Sequence, residues 1–163
     1  MLPSPISFPG QAMSDQDAAL DEADEVSGGS HKVLVIDDDT VHRMVICRIA
    51  KQAGFDVDEA ASYEAARGML GLSVYGCVTL DLSLGERGGI DVLQYMAQIG
   101  YASPVIVVSG SDDAVRNESF AVARKLNLNV CRPFSKPVKL ADLRELMREI
   151  RKRQVVGLTP RGS

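Results

Sequence analysis

Four aspartates follow two short apolar runs, at positions where their carboxylates could bind a metal ion. Asp37, Asp38 and Asp39 come directly after the run VLVI, and Asp81 comes directly after the run CVTL. Continuous apolar runs of this length are typical of strands that are buried on both faces of a parallel sheet. Because the carboxyl ends of parallel strands meet at one edge of a sheet, we expect the aspartates to converge there.

A hydroxyl group and an ammonium group are predicted at the same edge. Ser109 follows the run VIVV, and Lys136 follows the last predicted strand. Two carboxylates about 4 Å apart repel each other by roughly 4 kcal/mol at an effective dielectric constant near 20, so the acidic cluster requires a cation. Oxygen ligands favour Mg²⁺ over a soft metal. A carboxylate beside Mg²⁺ could attack a phosphoryl group, with the metal and Lys136 neutralising the transferring oxygens.

Strands and helices must alternate along the chain to position these side chains. Apolar residues recur with helical spacing in five segments, which start near Val41, Tyr63, Ile90, Val115 and Leu140. Two further strands are predicted, one alternating over residues 55–59 and a fifth near Val130. Ser62 and Ser111 are predicted N-caps. This order predicts an α/β fold with a doubly wound, five-stranded parallel sheet and five helices.

The order and spacing of these motifs resemble a response-regulator receiver domain of two-component signalling, over residues 31–153. VLVIDDD resembles the first-strand signature, and VTLDLSLGERGGIDVL resembles the phosphoacceptor strand and loop. PVIVVSGS resembles the strand that ends in a conserved Thr or Ser, and SKPVKLADL resembles the Lys-Pro segment. The resemblance implies the flavodoxin-like fold of CheY-like proteins.

The resemblance also implies a catalytic set. Asp81 would accept a phosphoryl group from a sensor histidine kinase or a phosphotransfer protein. Ser109 would bind the phosphoryl group and Lys136 would complete the set, so that the chain catalyses its own phosphorylation and dephosphorylation. Phosphorylation would repack the face formed by the fourth helix, fifth strand and fifth helix, for an output domain or a second copy of the chain.

A Mg²⁺ site and a structural glycine follow from the same resemblance. Asp37 and Asp38 match the acidic pair that holds Mg²⁺ together with Asp81, and the backbone carbonyl of Ser83 would complete the metal site. Gly89 matches the glycine that opens the third helix.

Three features depart from the family pattern. Gly85 stands where the family usually has proline, which predicts a more flexible acceptor loop. The stretch from Ser109 to Lys136 is a few residues longer than usual. The segment Arg132-Pro133-Phe134 occupies the place of the switch aromatic that normally precedes the lysine, and Phe134 could substitute for it.

Two other functional classes fit part of the pattern. A pseudo-receiver would keep the fold as an interaction module without phosphorylation. A haloacid-dehalogenase-like phosphohydrolase would use Asp37 as nucleophile and Asp39 as general acid/base, with Ser109 and Lys136 in its next two motifs. That interpretation leaves Asp81 without a role, and it lacks a further acidic pair on a later strand.

Composition and charge exclude several further classes. The chain has 163 residues, of which 45% are hydrophobic and 25% are charged, as in an ordinary globular domain. No apolar run is long enough to cross a membrane and no secretory signal is recognisable, so we expect a cytoplasmic protein without a membrane partner. The net charge of −4 and the near balance of acids and bases after residue 30 argue against direct nucleic-acid binding.

The two ends of the chain differ in composition from the middle. Residues 1–30 are rich in proline and acidic residues and predict a disordered acidic leader. Residues 154–163 predict a flexible tail whose ending, LTPRGS, resembles a protease-site scar from an expression vector. His31 and His42 are expected at the surface. Three cysteines without metal-site spacing are expected to be reduced, buried thiols: Cys47, Cys77 and Cys131.

Overall fold

The computed structural model describes residues 30–84, 88–110, 113–131 and 133–155. Strands and helices alternate throughout, as the sequence predicts. In chain order they are β1 (Lys32–Ile36), α1 (Thr40–Gln52), β2 (Asp56–Ala60), α2 (Tyr63–Leu72), β3 (Cys77–Asp81), α3 (Gly89–Gln98), β4 (Val105–Ser109), α4 (Asp113–Lys125), β5 (Phe134–Ser135) and α5 (Leu140–Val155). Most of the predicted leader, the last eight residues, Gly85 and the predicted N-cap Ser111 lie outside the described residues.

The five strands form one parallel sheet in the order β2-β1-β3-β4-β5. The predicted doubly wound fold is therefore confirmed. Because β2 and β3 pair with opposite sides of β1, the strand order reverses between β1 and β3. Ligands of such sheets bind beyond the carboxyl ends of the strands at this reversal, and Asp37 and Asp81 lie there.

Two hydrophobic clusters cover the two faces of the sheet. Val33 and Val35 of β1 pack in the cluster that includes helices α1 and α5. Leu34 and Ile36 pack in the other cluster, which includes helices α2, α3 and α4. Since successive residues of a strand point to opposite faces, a strand between two helical layers is apolar along most of its length, and the buried Thr79 of β3 is a polar exception. This explains the continuous apolar runs of β1, β3 and β4.

The fifth strand lies farther along the chain than predicted. Val130 makes only one isolated parallel bridge, with Val105, and the strand itself is Phe134–Ser135. The segment between the bridge and β5 contains one residue more than the matching segment of β4. Pro133 lies in this segment and has no backbone N–H to donate, so the ladder is interrupted there.

The last helix also extends beyond the expected boundary. The composition predicts a flexible tail from residue 154, whereas α5 continues to Val155 and Gln154 is buried. The Gln154 Nε2 donates a hydrogen bond to the backbone oxygen of Gly76, 2.7 Å away. This contact joins the end of α5 to the start of β3. No helix in the described part of the chain is long and apolar enough to span a membrane.

Candidate functional site

The ends of the two central strands bring the buried aspartates together. Ile36, the last residue of β1, pairs with Leu80 of β3. Asp37 and Asp81 follow these two residues and therefore lie next to each other at the carboxyl edge. Both are buried, with 1% and 2% of their surface exposed. The sequence predicts this convergence, because each aspartate directly follows a buried apolar run.

The next two strands bring the hydroxyl and the ammonium group to the same place. Asp81 pairs with Val108, so Ser109 lies one residue beyond it on the neighbouring strand. Ser109 is fully buried, and its backbone oxygen accepts a hydrogen bond from the Lys136 backbone N–H, 3.0 Å away. The structure therefore brings four of the residues singled out in the sequence to adjacent positions along one edge.

Three carboxylates form an acidic cluster suited to a hard cation. One oxygen each from Asp37, Asp38 and Asp81 lies within 4.8 Å of the others. Asp38 is exposed while the other two are buried, so the cluster is open to solvent on one side. Carboxylate oxygens combined with room for water suit Mg²⁺, which keeps several waters when bound to proteins. The donor set therefore fits the metal expected from the sequence.

Lys136 and the backbone after β3 hold the two oxygens of Asp81. The Lys136 Nζ lies 3.0 Å from Asp81 Oδ2 and 3.9 Å from Asp37 Oδ2. The Ser83 backbone N–H donates to Asp81 Oδ1 across 3.0 Å. The ammonium group thus lies between two buried carboxylates and compensates part of their repulsion.

Gly89 allows helix α3 to begin against the loop that follows Asp81. Its backbone N–H donates to the Leu82 oxygen, 3.1 Å away. A Cβ atom at Gly89 would lie 2.8 Å from the Leu82 Cα, closer than side chains and backbone can approach. Only glycine fits this start of α3 without displacing the loop that follows Asp81.

Two residues of α1 contact Asp37, and neither was identified from the sequence. The prediction that His42 is only a surface residue is incorrect, because its Nδ1 contacts Asp37 Oδ2 and its side chain is only 20% exposed. The Arg43 Nη1 donates to the Asp37 backbone oxygen across 2.7 Å, and its Nε donates to Glu59. The available signal was their position in the first turn of α1, where side chains point back toward the preceding loop.

Asp39 caps α1 and does not belong to the acidic cluster. Its side chain accepts a hydrogen bond from the His42 backbone N–H, 2.9 Å away. This hydrogen bond holds the pKa of the Asp39 carboxyl below its usual value. The phosphohydrolase interpretation needs Asp39 as a proton donor, and a capping carboxylate with a lowered pKa is poorly suited to that role.

Phe134 is buried on the face of the sheet that α1 and α5 cover. The Phe134 side chain therefore packs in the core and not at the surface.

The three cysteines, Cys47, Cys77 and Cys131, are buried and free, as predicted. Burial raises the pKa of the Cys47 and Cys131 thiols to about 11.

Comparisons with known proteins agree with this geometry. The profile of the response regulator receiver domain matches residues 33–148. The response regulator protein TmoT of Ectopseudomonas mendocina is 26% identical over 111 residues, which cover 68% of this chain and 48% of that protein. The chain therefore spans about half the length of this relative.

Solved structures share the fold. A response regulator from Colwellia psychrerythraea is 26% identical with a TM-score of 0.66, covering 75% of this chain and 97% of that one. A response regulator from Burkholderia pseudomallei, solved with a phosphorylated aspartic acid, a calcium ion and citrate, is 20% identical with a TM-score of 0.61. That match covers 75% of this chain and 69% of the other. The profile match, the fold and the arrangement of the site agree, and the chain belongs to the receiver-domain family of response regulators in two-component signalling.

Proposed function

We propose that this receiver domain accepts a phosphoryl group on Asp81. The observation that carries the proposal is the placement of Asp81, which is buried, beside two further carboxylates and 3.0 Å from the Lys136 ammonium group. A strand-end acid that only capped a helix would not need this arrangement. The phosphorylated aspartic acid of the Burkholderia pseudomallei regulator supports the same chemistry in a protein of this fold.

The chain's own residues prepare Asp81 for attack. The Ser83 backbone N–H holds one carboxylate oxygen and Lys136 faces the other, so the carboxylate has a fixed orientation. In the transfer, an Asp81 oxygen forms a bond to phosphorus while the bond from phosphorus to the donor breaks, and the donor keeps that electron pair. Lys136 offsets negative charge on the transferring oxygens, and we assign the Ser109 hydroxyl to one of them.

Asp37, Asp38 and Asp81 would hold a divalent cation, and we propose Mg²⁺, with the Ser83 carbonyl as a further ligand. When bound, Mg²⁺ supplies positive charge that offsets both the crowded carboxylates and the phosphoryl oxygens. The calcium ion in the Burkholderia pseudomallei structure supports a hard, oxygen-bound cation. Asp39 is excluded from this set because it caps α1.

The phosphoryl donor and the output are proposed at the level of the family. A sensor histidine kinase or a phosphotransfer protein would supply the phosphoryl group. The face formed by α4, β5 and α5 would carry the signal to an output domain or a second copy. Because Phe134 is buried toward α1 and α5, we expect its side chain to contribute to this signal through the core rather than by moving at the surface.

Intact-mass spectrometry after incubation with acetyl phosphate and Mg²⁺ tests the proposal. The wild type is expected to gain one phosphoryl group that is lost at alkaline pH, and Asp81→Asn is expected to gain none. Asp39→Asn is the matched control, because asparagine also caps helices and should leave labelling intact. Circular dichroism checks that each variant is folded.

The same measurement distinguishes the alternatives. A folded wild type that binds Mg²⁺ but takes no phosphoryl group would identify a pseudo-receiver. A mass increase that survives Asp81→Asn and disappears in Asp37→Asn would instead favour a phosphohydrolase. Either result would overturn Asp81 as the acceptor.

A further inference from the structure

We propose that His42 is a positioning residue that fixes the Asp37 carboxylate for the divalent cation. The inference rests on the metal site proposed above and concerns a residue outside the acidic cluster. His42 is the third residue of α1, whose N-cap, Asp39, lies two residues after Asp37. The start of α1 therefore lies directly beside the acidic cluster.

Each polar group of Asp37 has a partner within the protein. Its backbone N–H donates to the Ala60 oxygen, and its backbone oxygen accepts from Arg43. The carboxylate Oδ1 accepts from the Asp39 backbone N–H, 2.9 Å away. The Oδ2 atom contacts His42 Nδ1 and lies 3.9 Å from Lys136 Nζ. The imidazole is thus the closest partner of the oxygen that faces the rest of the site.

The His42 ring is held in this position by its place in the fold. Side chains in the first turn of a helix point back toward the helix N-terminus, and here that direction leads to Asp37. Only 20% of the His42 side chain is exposed, whereas Val41 and Met44 on the outer side of α1 are exposed by 70% and 57%. The His42 ring therefore faces the loop after β1, whereas Val41 and Met44 occupy the outward face of α1.

The chemistry of the contact makes His42 a donor. An ionised carboxylate can only accept hydrogen bonds, so we assign the proton to His42 Nδ1, which then donates to Asp37 Oδ2. A carboxylate oxygen has two lone pairs, so Oδ2 can accept from His42 and still serve as a metal ligand. Hydrogen bonds of this kind hold metal-binding carboxylates in one orientation, and losing one costs about 10–100-fold in metal affinity.

The opposite role would change metal affinity in the opposite direction. If the imidazole only competed with the cation for Oδ2, its removal would strengthen metal binding. The sign of the change therefore tests the assignment directly, without any need to measure phosphoryl transfer.

The change in metal affinity is measured by titration with Mn²⁺, using the electron paramagnetic resonance signal of the free ion to quantify unbound metal. Mn²⁺ is suitable because it shares the oxygen ligands of Mg²⁺, and Mg²⁺ affinity follows by competition. His42→Ala is expected to bind Mn²⁺ about 10–100-fold more weakly than the wild type. His42→Asn is expected to restore most of the affinity, because its amide nitrogen is attached at the position of Nδ1 and can donate to Asp37.

His31→Ala is the matched control. His31 also pairs with an aspartate, because its Nε2 lies 2.8 Å from Asp56 Oδ2. His31 precedes β1 and Asp56 begins β2, so this pair lies at the opposite edge of the sheet from the acidic cluster. The removal of the His31 side chain should leave Mn²⁺ affinity unchanged. Circular dichroism checks the fold of His42→Ala, which should be retained because alanine favours helix.

Two results would overturn the assignment. Unchanged or tighter Mn²⁺ binding by His42→Ala would show that His42 does not support the metal site. Weak binding by both His42→Ala and His42→Asn would exclude the donated hydrogen bond as the cause. A wild-type protein that binds no Mn²⁺ at all would instead refute the metal site of the proposed function, so the two failures are distinguishable.

Discussion

The carboxyl edge and the amino edge of the sheet differ in how their polar groups are compensated. At the carboxyl edge, three carboxylates lie within 4.8 Å of one another and have one lysine between the two buried ones. At the amino edge, Gln154 donates a hydrogen bond to the backbone oxygen of Gly76, and the backbone of Ser30 packs closely against Gly76. The first arrangement retains unfavourable charge for a ligand to neutralise. The second pairs the backbone groups of Gly76 within the protein, and we assign it to stability.

Close packing at the amino edge depends on one glycine. The Gly76 backbone N–H donates to the Lys32 oxygen across 2.8 Å, and its own oxygen accepts from Gln154. A Cβ atom at this position would lie 1.9 Å from the Ser30 backbone oxygen. No side-chain movement relieves that overlap, because the opposing atom belongs to the backbone.

Gly76→Ala should therefore reduce stability more than any other substitution proposed for the two edges. We expect the free energy of unfolding to fall by about 3 kcal/mol, the upper end of the range for overpacked sites. Urea denaturation measures the change. Gly68→Ala is the matched control, because a Cβ atom there meets nothing within 4 Å. Alanine should raise stability by about 1 kcal/mol at this exposed position of α2. Equal changes in the free energy of unfolding for Gly76→Ala and Gly68→Ala would refute the role of close packing at Gly76.

The second expected effect tests the carboxyl edge through its ligand. Mg²⁺ at one hundred times its dissociation constant should stabilise the wild type by about 2.7 kcal/mol, because only the folded state brings the carboxylates together. Thermal unfolding with and without Mg²⁺ measures this gain. Asp37→Asn should lose it, since the cluster then has one carboxylate fewer.

Thermal unfolding with and without Mg²⁺ also tests whether packing at the amino edge affects metal binding at the carboxyl edge. Provided that Gly76→Ala folds, it should keep the full Mg²⁺ stabilisation on a lower baseline, because distant sites contribute additively. A smaller stabilisation in this variant would mean that the amino edge also shapes the metal site.

The smallest expected effect belongs to Gln154→Leu. It removes the donor to the buried Gly76 oxygen and should destabilise the fold by about 1–2 kcal/mol. The loss is limited because the buried Gln154 Oε1 accepts no hydrogen bond in the described structure and is removed as well. Gln52→Leu is the control: Gln52 accepts from Arg144 at an exposed position, where substitutions change stability by about 0.5 kcal/mol or less. Phosphoryl labelling should be unaffected by both, and a loss of labelling in Gln154→Leu would contradict the separation of the edges.

Much of the fold follows from the sequence because the relevant forces act locally. β1, β3 and β4 each contain a mostly apolar run because both faces of these strands are covered, and that pattern is visible without a structure. Asp37 directly follows β1, and Asp81 and Ser109 are the last residues of β3 and β4, so their convergence follows from strand direction alone. The fifth strand could not be located in this way, because a two-residue strand has no periodicity and Pro133 displaces its pairing.

The order of strands and helices, the candidate acceptor and the acids around it can be predicted without a structure, because each is encoded by residues that are neighbours in the chain. Three facts required the folded chain: His42 contacts Asp37, Asp39 caps a helix, and Gly76 cannot carry a side chain. Those facts depend on side-chain direction and on atoms that other segments bring within a few ångströms. Hydrophobic patterning specifies which faces meet, and it leaves open which polar atoms come into contact once they do.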